Sequence, residues 1–139
     1  MIGLDTNVLV RYFVQDDPAQ AKLATQLIER ECTTQQPGLI STIVLCELVW
    51  VFESAYRYEK SLICEVMERL LITAEFEIES PLQVRTALKE FQTGSADFSD
   101  CLIQHLNQAR ACDYTATFDR KAANNRHGKL LNKSLLLPK

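Results

Sequence analysis

Five acidic residues stand where a carboxylate could do chemistry: Asp5, Glu47, Asp97, Asp100 and Asp119. Asp5 directly follows a short apolar segment, and Asp119 closely follows the segment DYTAT. In open parallel sheets, sites form at the carboxyl ends of strands, so acids placed there can meet although they are distant in sequence. Carboxylates gathered in one cleft repel one another and attract a hard divalent cation such as Mg²⁺ or Mn²⁺.

Glu47 lies inside the apolar segment TIVLCELVWVF, beyond the first turn of the helix predicted there. Its neighbours at helical spacing are all apolar, so the pattern predicts that Glu47 faces a buried surface; they are Ile43, Val44, Trp50 and Val51. A buried carboxylate must be paired, protonated or bound to a cation. Few basic residues stand nearby, which favours a metal-binding acidic cleft over a salt bridge.

Helix capping is the alternative explanation for the other acids. Asp5 stands before the helix predicted at residues 6–14, and Asp119 stands before the short helix predicted at RKAANN. Asp97 and Asp100 have the spacing of a cap residue and a first-turn acid. Capping explains why an acid is tolerated at each position, and it leaves open whether these side chains also act together.

The order of predicted elements indicates an α/β fold. Strands are predicted at MIGLD, LIST, FEIES, DYTAT and SLLL. Helices are predicted at residues 6–14, 42–56 and 60–73, and in DDPAQAKLATQLIERECT, PLQVRTALKEFQ, DCLIQHLNQARA and FDRKAANN. Strands separated by helices predict a three-layer α/β/α domain with a mainly parallel central sheet. Since no linker or repeat interrupts this order, residues 1–139 are predicted to form a single domain.

The composition is that of an ordinary globular protein, with 47% hydrophobic and 24% charged residues. No apolar run reaches the roughly 20 residues of a membrane span, and no basic segment precedes the first apolar run. We therefore expect a cytoplasmic protein without a membrane segment. The 5 cysteines form no C-x-x-C pair, and His105 and His127 are too scattered for a zinc site, so we expect reduced thiols and a helix-face position for His105.

Charge is distributed unevenly along the chain. The net charge of −3 argues against a general nucleic-acid binder, but all 18 acidic residues precede position 120. The last segment holds only basic charges, which fits either a surface for a polyanion or a solvated tail. The candidates for contact with a nucleic-acid backbone are Arg120, Lys121, Arg126 and Lys129 in this segment, together with Arg11. Lys133 and Lys139 complete the basic segment.

Four segments resemble, in order, the acidic motifs of PIN-domain ribonucleases, and within that family the VapC-type toxins of bacterial toxin–antitoxin pairs. The segments are IGLDTNVLVRYF, ISTIVLCELVWVF, ADFSDCLI and TATFDRKAA. The resemblance implies that the catalytic acids are Asp5, Glu47, Asp100 and Asp119. It also implies an additional acid at Asp97, and supporting polar positions at Thr6, Asn7 and Thr117. The chain departs from the pattern at Ala111, where similar sequences often carry glycine.

The same resemblance implies a metal-dependent endoribonuclease that acts as the toxin of a toxin–antitoxin system. Asp5, Asp100 and Asp119, with Asp97, would hold Mg²⁺ or Mn²⁺. Glu47 would orient or deprotonate the attacking water. The implied partners are an RNA substrate, a cognate antitoxin protein and a second copy of the chain in a homodimer.

Two other functions compete with this one. A catalytically silent PIN-fold module that binds RNA or protein would be expected to lack one of the acids, and none is missing. A phosphatase that forms an aspartyl-phosphate on Asp5 usually has a second aspartate two residues later, where this chain has Asn7.

Overall fold

A computed structural model describes residues 1–137, so Lys139 lies outside the described residues. The chain forms two compact units, an N-terminal unit from Met1 to Pro81 and a C-terminal unit that begins at Leu82. The N-terminal elements are α1 (Thr6–Val14), α2 (Pro18–Glu31), β1 (Gly38–Ile40), α3 (Thr42–Ser54), α4 (Lys60–Ile72) and β2 (Phe76–Ile78). The predicted alternation of helices with short strands is confirmed in this unit.

Parallel pairing joins the strands of the N-terminal unit. β1 pairs with β2 in the register Leu39 to Glu77. The segment before α1 joins β1 through an isolated parallel bridge between Gly3 and Leu39. Leu4 N donates to Leu39 O at 2.9 Å, and Leu39 N donates to Ile2 O at 2.8 Å. The strand predicted at MIGLD is therefore reduced to this single bridge, which still places Asp5 at its carboxyl end.

Polar caps fix where α3 begins, and α3 carries Glu47. Ser41 precedes the helix in an extended conformation, and its side chain accepts a hydrogen bond from Val44 N at 3.3 Å. The carboxylate of Glu79 accepts from both Thr42 N at 2.9 Å and Thr42 Oγ1 at 2.8 Å. These two bonds lower the pKa of Glu79 because they favour its charged form. The backbone groups at the start of α3 are thereby paired, as helix starts require.

Helix α5 (Pro81–Thr93) begins at the last residue of the N-terminal unit and otherwise belongs to the C-terminal unit. The C-terminal unit also contains α6 (Phe98–Ala109), β3 (Thr115–Thr117), α7 (Arg120–Ala123), β4 (Gly128–Leu130) and the 3₁₀-helix Lys133–Leu136. β3 and β4 are parallel, with Thr115 opposite Gly128. Two predictions were wrong here. The predicted strand SLLL is absent, because its first three residues belong to the 3₁₀-helix and Leu137 follows the helix end. The last strand is instead β4, which pairs with β3. Helix α6 also begins two residues before Asp100, so Asp100 lies in its first turn.

Each unit has its own apolar core. In the C-terminal unit the rings of Phe91 and Phe98 meet edge to face, with centroids 6.0 Å apart. Burial of each large side chain contributes about 1.5–3 kcal/mol. Within residues 1–137, no helix combines the length and the apolar composition that a membrane crossing requires. The largest buried apolar side chains include Leu9, Ile40, Leu45, Leu48, Phe52, Ile63, Met67 and Leu70 in the N-terminal unit and Val84, Phe98 and Leu102 in the C-terminal unit.

Ala111 has a backbone conformation that suits glycine. Its φ is +67°, in the left-handed region, where it follows the end of α6 and donates its N–H to Gln108 O at 2.9 Å. A residue with a Cβ pays about 1–2 kcal/mol for this conformation. This is the physical reason why glycine suits the position at which the sequence departs from the family pattern.

Candidate active site

Asp5 ends the bridged segment and begins α1. Its backbone is extended, with φ −82° and ψ 160°, and its Oδ1 accepts a hydrogen bond from Thr6 N at 2.7 Å. Its carbonyl oxygen also accepts from Val8 N at 3.1 Å. The capping interpretation therefore holds for one carboxylate oxygen of Asp5, whose side chain is exposed to solvent.

Thr6 connects Asp5 to Glu47. The Thr6 side chain is buried, with 8% of its surface exposed, and its Oγ1 donates to Glu47 Oε1 at 3.0 Å. Because the Thr6 N–H binds Asp5 and the Thr6 hydroxyl binds Glu47, one residue orients both carboxylates. This contact joins α1 to α3 and brings together two acids that are 42 positions apart in the chain. Asn7 lies on the exposed side of α1, beside a groove between α1 and α2.

The predicted burial of Glu47 was wrong, because its side chain is exposed. Two of the apolar neighbours used for that prediction are exposed as well, Ile43 at 72% and Trp50 at 67%. The helix buries a different stripe, and Glu47 lies beside it. The cost of burying a charge therefore gives no support to a metal at Glu47. The buried residues of α3 are Val44, Leu45, Leu48, Val49 and Phe52.

The C-terminal unit gathers the other three acids. Asp97 occupies the N-cap position of α6, but among residues 1–137 its side chain makes no capping hydrogen bond to that helix. Asp100 is half-buried in the first turn of α6. Asp119 caps α7, because its Oδ1 accepts from Ala122 N at 3.0 Å. Thr117 fixes the backbone that leads to Asp119, because Thr117 Oγ1 accepts a hydrogen bond from Asp119 N at 3.0 Å.

The charges of Asp119 and Asp97 both act on Asp100, and these three residues are called the acidic cluster below. Burial raises the pKa of Asp100, and the negative charges of Asp119 and Asp97 raise it further. All three causes disfavour the charged form of Asp100. A nearby cation would remove this penalty, so the cluster has the electrostatics of a cation-binding site.

We expect Asp100→Asn to raise the melting temperature in the absence of divalent metal. The substitution removes a half-buried charge together with its repulsion by Asp97 and Asp119. Like-charge contacts of this kind cost on the order of 0.2–1 kcal/mol, which corresponds to a rise of about 1–4 °C. Thermal denaturation in EDTA measures the change, and a clear fall in melting temperature would contradict the repulsive cluster.

The pH dependence of stability should differ between the same two proteins. The pKa of Asp100 is higher in the folded than in the unfolded chain, so the folded state binds more protons between these two values. The free energy of unfolding of the parent protein therefore falls as pH rises through this range. Asp100→Asn lacks this decrease. The amount by which the free energy of unfolding of the variant exceeds that of the parent should therefore become smaller as pH falls below the ordinary aspartate pKa.

The donor atoms of the cluster suit a hard cation. Asp97, Asp100 and Asp119 offer carboxylate oxygens, which Mg²⁺ and Mn²⁺ prefer. Among residues 1–137, no group of three or more His, Cys, Asp or Glu side chains is arranged closely enough to hold a metal ion by itself. An ion that keeps several waters needs few protein ligands. The acids therefore fit a hydrated divalent ion better than a closed structural metal site.

Thiols and imidazoles lie apart from this chemistry. Cys101 follows Asp100, but its side chain is fully buried, and burial raises its pKa to about 12. None of the five cysteines forms a disulfide bond, and all five lie within the described residues. His105 lies on α6 but is buried rather than exposed on the helix face, with Nε2 3.2 Å from Glu90 Oε1. Its ring contacts that of His127, with centroids 5.5 Å apart.

Comparison with known proteins decides the family. A family model described as "PIN domain" matches residues 2–127. The chain belongs to the PIN-domain family. It is similar to a protein named VapC ribonuclease from Aquifex aeolicus (strain VF5), with 29% identity over 99 residues that cover 71% of this chain and 73% of that protein. The family resemblance and the α/β/α fold class expected from the sequence are confirmed.

The basic residues of this PIN-domain chain face several surfaces. Arg120 and Lys129 line one cleft of about 490 Å³ in the C-terminal unit. Arg126 lines another, of about 730 Å³, and Lys121 is exposed. Arg11 lies in the N-terminal unit, where it donates to Asp16 Oδ1 at 2.9 Å and to Gln20 Oε1 at 2.7 Å. Arg120 and Lys121, which directly follow Asp119, are the predicted cations nearest to an acid in sequence.

Sequence reasoning missed one polar residue near the acids of this PIN-domain chain. Gln104 lies one helical turn after Asp100 and is 2% exposed, and its Nε2 donates to Ala122 O at 2.9 Å. Leu102 and Cys101 on the same helix are buried with it. The available signal was a long amide among apolar positions, four residues after a predicted metal ligand.

Proposed function

We propose that this PIN-domain protein is a metal-dependent endoribonuclease that acts as the toxin of a toxin–antitoxin pair. The observation that carries the proposal is the repelling cluster of Asp97, Asp100 and Asp119, in a chain whose family is known. Burial and the charges of Asp119 and Asp97 disfavour the charged form of Asp100, and this favours a cationic ligand over a structural role. The similarity to a VapC ribonuclease supports RNA as the substrate.

In this proposal residues 1–139 act as a single PIN domain, the catalytic acids are Asp5, Glu47, Asp100 and Asp119, and Asp97 is an additional acid. The family match, which spans both units, supports this. Asp5, Asp100 and Asp119, with Asp97, would hold Mg²⁺ or Mn²⁺ directly or through water molecules. When bound, such an ion supplies positive charge to the phosphate undergoing in-line displacement.

The protein's own groups would handle the water and its proton. Glu47 is exposed to solvent, and Thr6 fixes one of its oxygens, so its other oxygen can accept a proton from the attacking water. Thr6 thus acts as a supporting residue for Asp5 and Glu47. Thr117 supports Asp119 through the backbone, because the Thr117 hydroxyl oxygen accepts a hydrogen bond from the Asp119 N–H. Asn7 is the third supporting residue that the family resemblance implies.

Binding of the RNA backbone falls to cations outside the acidic cluster. Arg120, Lys121, Arg126 and Lys129 follow Asp119 closely, so they can contact phosphates on either side of a scissile bond. Lys129 also lies over the ring of Tyr114, with its Nζ 4.6 Å from the ring centroid. Two of the Arg11 nitrogens already donate to Asp16 and Gln20. The remaining N–H donors of Arg11 can contact an RNA phosphate.

The proposed partners are a cognate antitoxin and a second copy of the chain, in the cytoplasm. A groove of about 530 Å³ between α1 and α2 provides a surface to which an antitoxin segment can bind. Leu23 and Leu27 on its wall are exposed, Leu23 at 67%, and Arg11 and Asn7 stand beside them. Apolar positions next to polar groups suit an amphipathic peptide.

RNA cleavage that depends on divalent metal tests the proposal. We expect the purified protein to cut a mixed RNA pool in Mg²⁺ or Mn²⁺ and to lose this activity in EDTA. Activity should return when Mn²⁺ is added in excess of the chelator, because the carboxylates then regain their counter-ion. Gel analysis of end-labelled RNA measures the result.

Two outcomes would count against it. RNA binding without cleavage in every metal would favour the catalytically silent binding module instead. Cleavage that EDTA leaves untouched would place the activity in a contaminant or in metal-free chemistry. Sequencing of cut RNA ends after expression in cells then identifies the target.

A further inference from the structure

Gln104 is a buried polar side chain that the proposed chemistry does not use. It lies on α6, and with 2% of its surface exposed it is as buried as the apolar core around it. Its Nε2 donates to Ala122 O at 2.9 Å, a bond between residues 18 positions apart. Burying a primary amide is unfavourable unless its polar atoms are paired.

The Gln104 bond continues directly to a catalytic candidate. Ala122, whose carbonyl accepts from Gln104, donates its own N–H to Asp119 Oδ1 at 3.0 Å. A short chain of contacts therefore runs from the Gln104 amide through the Ala122 peptide groups to the Asp119 carboxylate. Its origin on α6 lies one helical turn after Asp100, so it links the elements that carry the two acids.

The absence of a side chain at Gly128 leaves room for the hydrogen bond between Gln104 and Ala122. Gly128 begins β4, and a Cβ built there would lie 2.4 Å from Ala122 O and 2.7 Å from Gln104 Nε2. Real Cβ atoms do not approach other atoms so closely, so a side chain at position 128 would displace the bonded pair. The glycine thus lets three segments, α6, α7 and β4, meet around one hydrogen bond.

The carbonyl oxygen of the Gln104 side chain indicates that packing alone does not explain why a glutamine occupies this position. Within residues 1–137, Gln104 Oε1 is buried and has no hydrogen-bond partner. Rotating the amide would place that oxygen against Ala122 O, so the donor orientation is the favourable one. An unbranched apolar side chain of similar length would fill the space and avoid the unpaired oxygen. An apolar residue could not, however, donate a hydrogen bond to Ala122 O.

We propose that Gln104 is a positioning residue whose amide, by holding Ala122 O, keeps Asp119 beside Asp100. Its importance for catalysis rests on the proposed nuclease function, but the positioning itself does not. The repulsion between the two carboxylates is the cost of this arrangement, and the Gln104 bond is one of the contacts that oppose their separation.

A double-mutant cycle in metal-free protein tests the positioning. The free energies of unfolding of the parent, Asp100→Asn, Asp119→Asn and the double variant give the repulsive coupling between the two carboxylates. Asparagine at position 119 can still cap α7, so the cycle reports charge rather than helix loss. The four proteins are then remade with Gln104→Met, which keeps the length of the side chain and removes its donor.

We expect the coupling to fall by more than half in the Gln104→Met background, because Asp119 is free to move away from Asp100. Ala122 O keeps a backbone donor, Asn125 N at 3.2 Å, so the variant should fold. Gln104→Leu serves as a second apolar replacement if the methionine variant does not fold. Gln108→Met, an exposed glutamine on the same helix, is the matched control and should leave the coupling unchanged.

An unchanged coupling in the folded Gln104 variants would overturn the proposal. This measurement uses neither RNA nor metal, so its outcome is independent of the nuclease function. If the parent protein cleaves RNA, Gln104→Met should also lower the cleavage rate about 10-fold with the KM for RNA unchanged, as for residues that orient metal ligands. A larger KM at an unchanged rate would instead assign Gln104 to RNA binding and would also overturn the proposal.

Discussion

Asp100→Asn is expected to lower the rate of RNA cleavage by about 10²–10³-fold, the loss seen when one electrostatic group is removed from a preorganised site. The asparagine keeps the shape of the side chain but removes the charge that would help hold the divalent ion. The same variant should gain thermal stability in EDTA, because burial and two neighbouring acids raise the pKa of Asp100. Opposite signs for activity and stability distinguish a functional carboxylate from a structural one.

Asp113→Asn is the matched control for this experiment. Asp113 is an exposed acid of the same unit, and its replacement changes the net charge by the same amount. Single-turnover cleavage at saturating Mn²⁺ should show parent activity for Asp113→Asn. If Asp100→Asn retained parent activity under these conditions, Asp100 would have no part in the reaction.

Thr6→Val should lower the cleavage rate about 10–100-fold, the usual effect of removing a group that orients a reacting residue. Valine has nearly the shape of threonine, but it cannot donate to Glu47 Oε1, which the Thr6 hydroxyl now binds at 3.0 Å. Glu47 is exposed, so without this bond its carboxylate can take several orientations in solvent. We therefore expect the loss in kcat, with the KM for RNA little changed.

Thr6→Ser separates the hydroxyl from the methyl group. Serine retains the donor, so this variant should keep most of the parent kcat although it loses some packing in a buried position. Equal losses in the valine and serine variants would show that Thr6 matters through packing. Parent activity in Thr6→Val would show that Glu47 needs no orientation from α1.

Local sequence signals predicted the helices well because most of them have a start signal, an apolar stripe or both. Asp17 before Pro18 correctly marked the start of α2, and the apolar period after Lys60 correctly marked α4. The strands were harder to predict, since each contains three residues and depends on a partner. β4 contains Gly128 and Lys129, and its pairing with β3 could not be read from its own composition.

The candidate site shows the same division between local and tertiary information. The positions of the acids could be read from the sequence, and so could the capping by Asp119. The exposure of Glu47 could not, because α3 has more apolar residues than its core-facing side can hold and leaves Ile43 and Trp50 exposed. Gln104 was missed because its partner is a backbone carbonyl 18 residues away, and an amide among apolar positions does not by itself identify such a partner.

The buried thiol of Cys101 bears on which metal ions the proposed site would bind. It directly follows Asp100 in the chain, yet its pKa of about 12 keeps the sulfur protonated at any physiological pH. Zinc and copper(I) compete for sites mainly through deprotonated sulfur and imidazole nitrogen. A buried, protonated sulfur therefore adds no soft ligand to the carboxylate oxygens of the neighbouring acids. Zinc would have to bind through those same oxygens, so the supply and hydration of each ion would govern which one occupies the proposed site.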